Sequence, residues 1–381
     1  MHFQSFFLAG FECSCHRFPD GRQLDLLAST GHAEWTRSDY AAAMALGLRT
    51  ARDGVRWHLT HPAPYAYDWS SVLPMLRAAR ETGMQVIWDL CHFGWPPWID
   101  IWSSRFPEAF ARHAAAVARL VAAESALPAM YCPINEISYW SWAGGDMAHF
   151  SPNATGRGGE LKRQLVRAFV HAADAILEVD PGARFLSAEP MIAVHPWLLD
   201  DEGPSAEANA SQFEAVDMIT GRVQPELGGA ERYLDIVGVN YYPHNQWLHC
   251  GPQLRHDDAR YAPLSDLLQA QGQRYGRPIL IAETGAEGAA RAPWLRYVAD
   301  QAMRARTAGV DMAGICLYPV TDYPGWEDGR YCSTGLFSAP SDTGQRALYA
   351  PLAVELRHQA SRFGDGPAGL LNAPSVLAIE G

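Results

Sequence analysis

The chain has 381 residues, with 42 Asp and Glu against 30 Lys and Arg and a formal net charge of -12. That balance disfavours a nucleic acid or an anionic membrane surface as partner, and it suits a neutral substrate. Lys162 is the only lysine, which excludes a Schiff-base aldolase with its strand-end lysine and a P-loop with its G-K-[ST].

The opening MHFQSFFLAGF has no basic n-region and no cleavage site, so it reads as a first strand and the cytoplasm is the expected location. Of the 7 cysteines, Cys91, Cys132 and Cys316 lie inside apolar runs, as reduced and packed thiols do. No run of 18 apolar residues predicts a membrane span.

Taken in chain order, strands are predicted over Phe6–Glu12, Gly54–His58, Gln85–Cys91, Met130–Asn135, Ala183–Ala188, Ile236–Tyr241, Ile279–Ala282 and Ala313–Leu317. Between them, apolar residues near helical spacing predict helices over Ser38–Leu46, Val72–Glu81, Phe110–Ala123, Leu161–Val179, Ala262–Tyr275 and Pro293–Ala308. Alternation of this kind through eight strands predicts an α/β fold, a single (β/α)8 TIM barrel over residues 1–362. A doubly wound open sheet is the rival, but it more often has five to seven strands. Residues 363–381, rich in Gly, Pro and Ala, are expected as a tail packed on the barrel.

In a barrel of this type, chemistry sits at the C-terminal ends of the strands. The longest connections leaving strands are 137–160, 243–260 and 319–335, and all three carry aromatics: Tyr139, Trp140, Trp142 and Phe150; Trp247; Tyr323 and Trp326. Aromatic loops wall pockets for sugar rings, although each ring alone is also explained by a local loop core.

Two stretches pose the same puzzle. In PILIAETG an apolar strand runs into Glu283, and in PINEI another runs into Asn135 and Glu136. A lone strand-end glutamate is more often a salt-bridge partner than a catalyst. A closed barrel, however, brings its fourth and seventh strand ends together across one mouth, and cleaving a glycosidic bond needs two facing carboxyl groups.

These residues carry a resemblance. The chain resembles the clan A retaining glycoside hydrolases and, within them, is similar to the family 1 β-glycosidases over nearly its whole length. PINEI resembles T-F-N-E-P, which implies Glu136 as general acid/base and Asn135 on the sugar 2-hydroxyl; PILIAETG resembles P-x-x-I-T-E-N-G, which implies Glu283 as nucleophile. By the same resemblance V-R-W puts Arg56 beside the nucleophile, C-H-F-G-W-P-P-W puts His92 on a sugar hydroxyl, and D-I-V-G-V-N-Y-Y lines the site with Asn240 and Tyr242, the latter donating to Glu283. Read without the resemblance, His92 is a satisfied core histidine and Arg56 a partner of a structural carboxylate.

The pattern also breaks. F-L-A-G-F-E-C-S-C-H-R places Arg17, with His16 beside it, where the family's sugar-gripping glutamine stands, and Y-P-V-T-D-Y-P-G-W gives Tyr318 for a platform tryptophan and Gly325 for the glutamate that holds distal hydroxyls, while Trp326 remains. These changes touch the sugar pocket and spare the reacting pair, so they point to a different, modified or internal sugar unit; an arginine there would favour an acidic one.

Cys13, Cys15 and His16 form a C-x-C-H, and His244, His249 and His256 share a loop, but no C-x-x-C pair exists and no metal site is expected. Glu12 and Glu189 also end predicted strands and compete for the catalytic roles, Glu189 more strongly. The reading is a retaining β-glycosidase that needs no cofactor and takes an oligosaccharide or glycoside. Its rivals are a carbohydrate-binding protein on a decayed hydrolase barrel and a transglycosylase in polysaccharide metabolism. Sugar, linkage and oligomeric state stay open.

Overall fold

The structure, a computed structural model, describes residues 2–125 and 127–364. Eight parallel strands close into a barrel: β1 (Phe7–Gly10), β2 (Thr50–Gly54), β3 (Gln85–Asp89), β4 (Met130–Cys132), β5 (Arg184–Pro190), β6 (Ile236–Asn240), β7 (Ile279–Thr284) and β8 (Met312–Leu317), with β1 paired to both β2 and β8. Eight helices pack outside it: α1 (His32–Ala45), α2 (Leu73–Thr82), α3 (Arg105–Glu124), α4 (Gly158–Val179), α5 (Glu214–Ile219), α6 (Leu264–Tyr275), α7 (Arg291–Thr307) and α8 (Ala350–Phe363). This is the predicted (β/α)8 TIM barrel.

Strand alternation divides the core in two. Leu8, Ile87, Met130, Leu186, Ile236 and Leu280 point inward and fill the barrel. Phe7, Val86, Tyr131, Phe185, Val237 and Ile281 point outward, under the helices. The helices answer with apolar stripes: α3 buries Phe106, Phe110, His113, Ala114, Val117 and Val121, at spacings of three and four residues. Gly83 ends α2 in the left-handed region at φ 76°, where a Cβ would be strained.

Three expectations need correction. The second strand is Thr50–Gly54, not Gly54–His58. It reads T-A-R-D-G, and its two charges hid a strand that is buried along its length. Glu136 does not end a strand, since β4 stops at Cys132. The last barrel helix, α8, occupies a stretch where no helix was expected, and it fastens to β1 through Phe363, whose ring stacks on Phe6 at 4.2 Å. Beyond Gly364 the expected tail lies outside the described residues. Among the described residues, no helix is long and apolar enough to cross a membrane.

Candidate active site

The site is assembled around a buried guanidinium. Arg52, in the middle of β2, points inward and donates through Nε and Nη2 to both oxygens of Asp89, at 3.0 and 2.7 Å. Its Nη1 donates to Glu283 Oε1 at 2.6 Å, and Nη2 also reaches Asn135 Oδ1. Burial alone would favour losing the proton, but Asp89 and Glu283 more than offset this and raise the Arg52 pKa above its ordinary value. Glu283 Oε2 accepts a second bond, from the Tyr242 hydroxyl at 2.8 Å.

Glu136 is placed differently. Past β4 the chain bends so that Glu136 takes φ 44° and ψ 60°, a left-handed conformation uncommon for a residue with a Cβ. The bend is fastened from β5. Glu136 N donates to Ala188 O at 2.9 Å, and the Glu189 carboxylate accepts the backbone N–H groups of Ile137 and Ser138 at 2.7 and 2.9 Å. Glu189 is thus committed to holding the turn, which removes the stronger rival to Glu136 and Glu283.

Asn240, at the end of β6, links the two acids. Its Nδ2 donates to Glu136 Oε1 at 2.9 Å, and its backbone is the register partner of Glu283. Burial, and after it the charge of Glu283, raises the Glu136 pKa well above the usual carboxylate range; the Asn240 bond opposes this.

Both acids open onto a cavity of about 1210 Å³ at the C-terminal mouth of the barrel, with Glu12, Tyr242, Tyr318 and Trp326 also on its walls. Each of the three long aromatic loops contributes: Tyr139 and Trp142 from the first, Trp247 from the second, Tyr323 and Trp326 from the third. Gly10 makes room for the floor, since a Cβ there would lie 2.2 Å from Tyr318 Cδ2.

Other predicted residues sit less directly. His92 lines the cavity, but its nitrogens are engaged inside the protein: Asn135 Nδ2 donates to Nε2 at 2.9 Å, and Nδ1 bonds Asp89 Oδ2 at 3.1 Å. Asn135 is 0% exposed, with Arg52 on its oxygen and His92 on its nitrogen, so it braces the two rather than facing the cavity.

Asn240 reaches Glu136 but, like Asn135, is not itself on the cavity wall, and three further residues implied by the resemblance are not on it either. Arg56 follows β2 and donates to Asp25 at 3.0 Å; the arginine beside Glu283 is Arg52. Arg17 turns away, its guanidinium 5.9 Å from the Trp95 ring. His16 is buried among Phe18, Phe150 and Trp326 at ring distances of 4.3 to 4.8 Å. Neither His16 nitrogen has a partner, and burial lowers its pKa to about 3, so the ring is neutral and acts as packing beneath Trp326.

Arg52 and Asp89 escaped the sequence reading. Q-V-I-W-D ending in a carboxylate was the available signal for Asp89, and a period-2 reading begun at Thr50 would have turned Arg52 inward. Cys13, Asp89 and His92 bring candidate metal-ligand atoms within 4.8 Å of one another. Both Asp89 oxygens already hold Arg52, however, and a metal cation there would meet its charge.

Neither a protein-family model nor a curated protein matches the sequence. Solved structures do. A β-glycosidase from Thermosphaera aggregans is 17% identical with a TM-score of 0.76, over 97% of this chain and 98% of that one. A family 1 β-glucosidase from Thermotoga maritima is 13% identical with a TM-score of 0.76, over 95% and 98%. The chain has the fold of the β-glycosidases. A β-glucosidase from Pyrococcus furiosus repeats the likeness at 17% identity and a TM-score of 0.74, over 94% and 95%. At these identities the β-glycosidase likeness establishes architecture, and the chemistry has to be argued from the residues.

Proposed function

We propose that the protein hydrolyses a β-glycosidic bond with retention, using Glu283 as nucleophile and Glu136 as acid and then base. The observation that carries this reading is that two carboxyl groups share one cavity in opposite electrostatic settings. Glu283 receives a guanidinium and a phenol, which stabilise its anion. Glu136 receives one amide N–H, and burial beside a negative neighbour keeps its proton on.

In the first step Glu283 attacks the anomeric carbon, the bond to the leaving oxygen breaks, and Glu136 gives that oxygen its proton. Forming the ester removes the charge of Glu283, so Glu136 loses the neighbour that favoured its proton. It then accepts a proton from water, which attacks the same carbon and frees Glu283. Arg52 and Tyr242 hold the nucleophile, and Asn240 orients the acid.

A 2-fluoroglycoside that leaves a covalent sugar on Glu283, found by peptide mass spectrometry, tests this. A label on another residue overturns Glu283 as nucleophile, and no label overturns the reading and favours a carbohydrate-binding protein. Glu283→Ala should lose turnover and regain part of it with azide, giving a glycosyl azide of inverted configuration; a retained configuration would reverse the role. Partition of the labelled enzyme between water and a sugar acceptor separates hydrolysis from transglycosylation.

A further inference from the structure

The mechanism leaves one deep carboxylate unused. Glu12 follows β1 on the cavity wall and is 7% exposed. Its Oε1 accepts from Ser14 N at 3.0 Å and from Ser14 Oγ at 2.6 Å. Among the described residues, Oε2 has no hydrogen-bond partner and no arginine, lysine or histidine forms an ion pair with Glu12. Burial raises its pKa, against the opposing influence of His92. A buried carboxylate with a free oxygen is poorly compensated by the protein and is stabilised by any donor that enters.

The rest of the wall shows which donor fits. The cavity carries the carboxylates of Glu12, Glu136, Asp146, Glu283 and Glu327, whereas its two long basic side chains are already paired. Lys162 Nζ lies 2.6 Å from Glu214, and Arg330 pairs with Glu287. Arg52, beneath the floor, is held by Asp89 and Glu283. No cation on the described wall is free to receive an acidic sugar, so the acidic substrate expected from Arg17 does not suit this cavity. At Gly325, where the resemblance implies a glutamate, the wall has no side chain; Glu12, just past β1, is a carboxylate on the same cavity wall.

We propose that Glu12 is the specificity-determining residue of the sugar pocket and that the substrate is a β-glycoside of an amino sugar with a free amine, its ammonium paired with Glu12 Oε2. This rests on the hydrolase reading above. The ammonium supplies the charge and the donors that the protein withholds. An N-acetylated amine supplies no charge, and a uronic acid adds repulsion to an acidic cavity.

The test compares kcat/KM for 4-nitrophenyl β-glucoside with its 2-amino-2-deoxy, 4-amino-4-deoxy and 6-amino-6-deoxy forms, the N-acetyl glucosaminide and the glucuronide. One amine should exceed the parent glucoside by about tenfold or more, with the N-acetyl and uronic acid forms poorer than that amine. In Glu12→Gln the ratio of amine to parent should fall by about tenfold. Should that variant fail to fold, the wild-type enzyme supplies a second measurement. The corresponding free amino sugar should protect Glu283 from the 2-fluoroglycoside better than glucose, and lose that advantage as pH rises through the pKa of its amine. Turnover and labelling without preference for any amine, or a ratio unmoved in Glu12→Gln, overturn the assignment and leave the hydrolase reading standing. No turnover with any glycoside and no label on Glu283 bring down both.

Discussion

Two adjacent residues of β2, Arg52 and Asp53, point to opposite faces of the strand and enter two different charge networks. Outside the barrel, Asp53 and Asp39 bracket His32, whose Nδ1 lies 2.7 Å from Asp39 and Nε2 2.9 Å from Asp53. Tyr40 and the Gly54 amide complete Asp53, and Arg346 completes Asp39. Every carboxylate oxygen in that cluster has a partner. Inside the barrel, Arg52 satisfies Asp89 and one oxygen of Glu283, but the network continues into a cavity where burial and the charge of Glu283 raise the Glu136 pKa and where Glu12 has a free oxygen. Both networks are buried and built from the same residue types. What distinguishes the candidate site is incompleteness: its acids outnumber its donors, and the shortfall faces a space that a substrate can enter.

The sharpest way to break this comparison is to neutralise one acid in each network. Glu136→Gln removes the transferable proton, so substrates with poor leaving groups should lose on the order of 10²- to 10⁴-fold in kcat/KM. A dinitrophenyl glycoside, whose leaving group needs no proton, should lose far less. Asp53→Asn should show no dependence on leaving group. Equal losses on both substrates in Glu136→Gln would remove it from the acid role, and a leaving-group slope in Asp53→Asn would erase the distinction between the networks.

Removing the guanidinium from each network gives the next effect. Arg52→Met takes the guanidinium from Asp89 and Glu283, and Arg346→Met takes it from Asp39; each should cost up to about 3–5 kcal/mol in denaturant unfolding, as breaking a buried ion pair does. Only Arg52→Met should also slow labelling of Glu283 per folded molecule. If Arg346→Met slows labelling as much, the outer cluster is part of the catalytic apparatus after all.

The same two networks show what the sequence made legible. Glu136, Glu283, Asn240 and Tyr242, which the structure brings together, could be singled out because each sits in a short contiguous motif at the end of an apolar run, where local pattern and topology agree. Arg52 was passed over because a strand with two consecutive charges does not look buried until one knows that its faces meet two different partner sets. Arg17 and His16 were assigned by alignment to a pattern the chain no longer follows: their side chains turn to Trp95 and to a cluster of rings. In one dimension, Glu12 and Glu189 both end predicted strands, and Glu189 is the stronger rival. Only the fold separates a carboxylate that holds two backbone amides from one with a free oxygen, since the amides that Glu189 holds lie 52 and 51 residues before it in the chain.

The smallest effect belongs to the closed network and is read as stability rather than rate. Burial pushes the His32 pKa down, but Asp53 and Asp39 more than reverse this and raise it from 6.5 to about 9. A histidine whose pKa is higher folded than unfolded contributes its full stabilisation below about pH 6.5 and loses it as pH rises toward 9. Unfolding free energy should therefore decline across that window, by on the order of 3 kcal/mol at most from this residue. His32→Gln keeps polar contact with both aspartates without the titration, so its stability, measured by denaturant unfolding at intervals between pH 6 and 9, should change less over the same range. A slope in the variant equal to that of the wild type would mean that His32 is neutral in the folded protein, and that the outer cluster closes through Arg346 and hydrogen bonds alone.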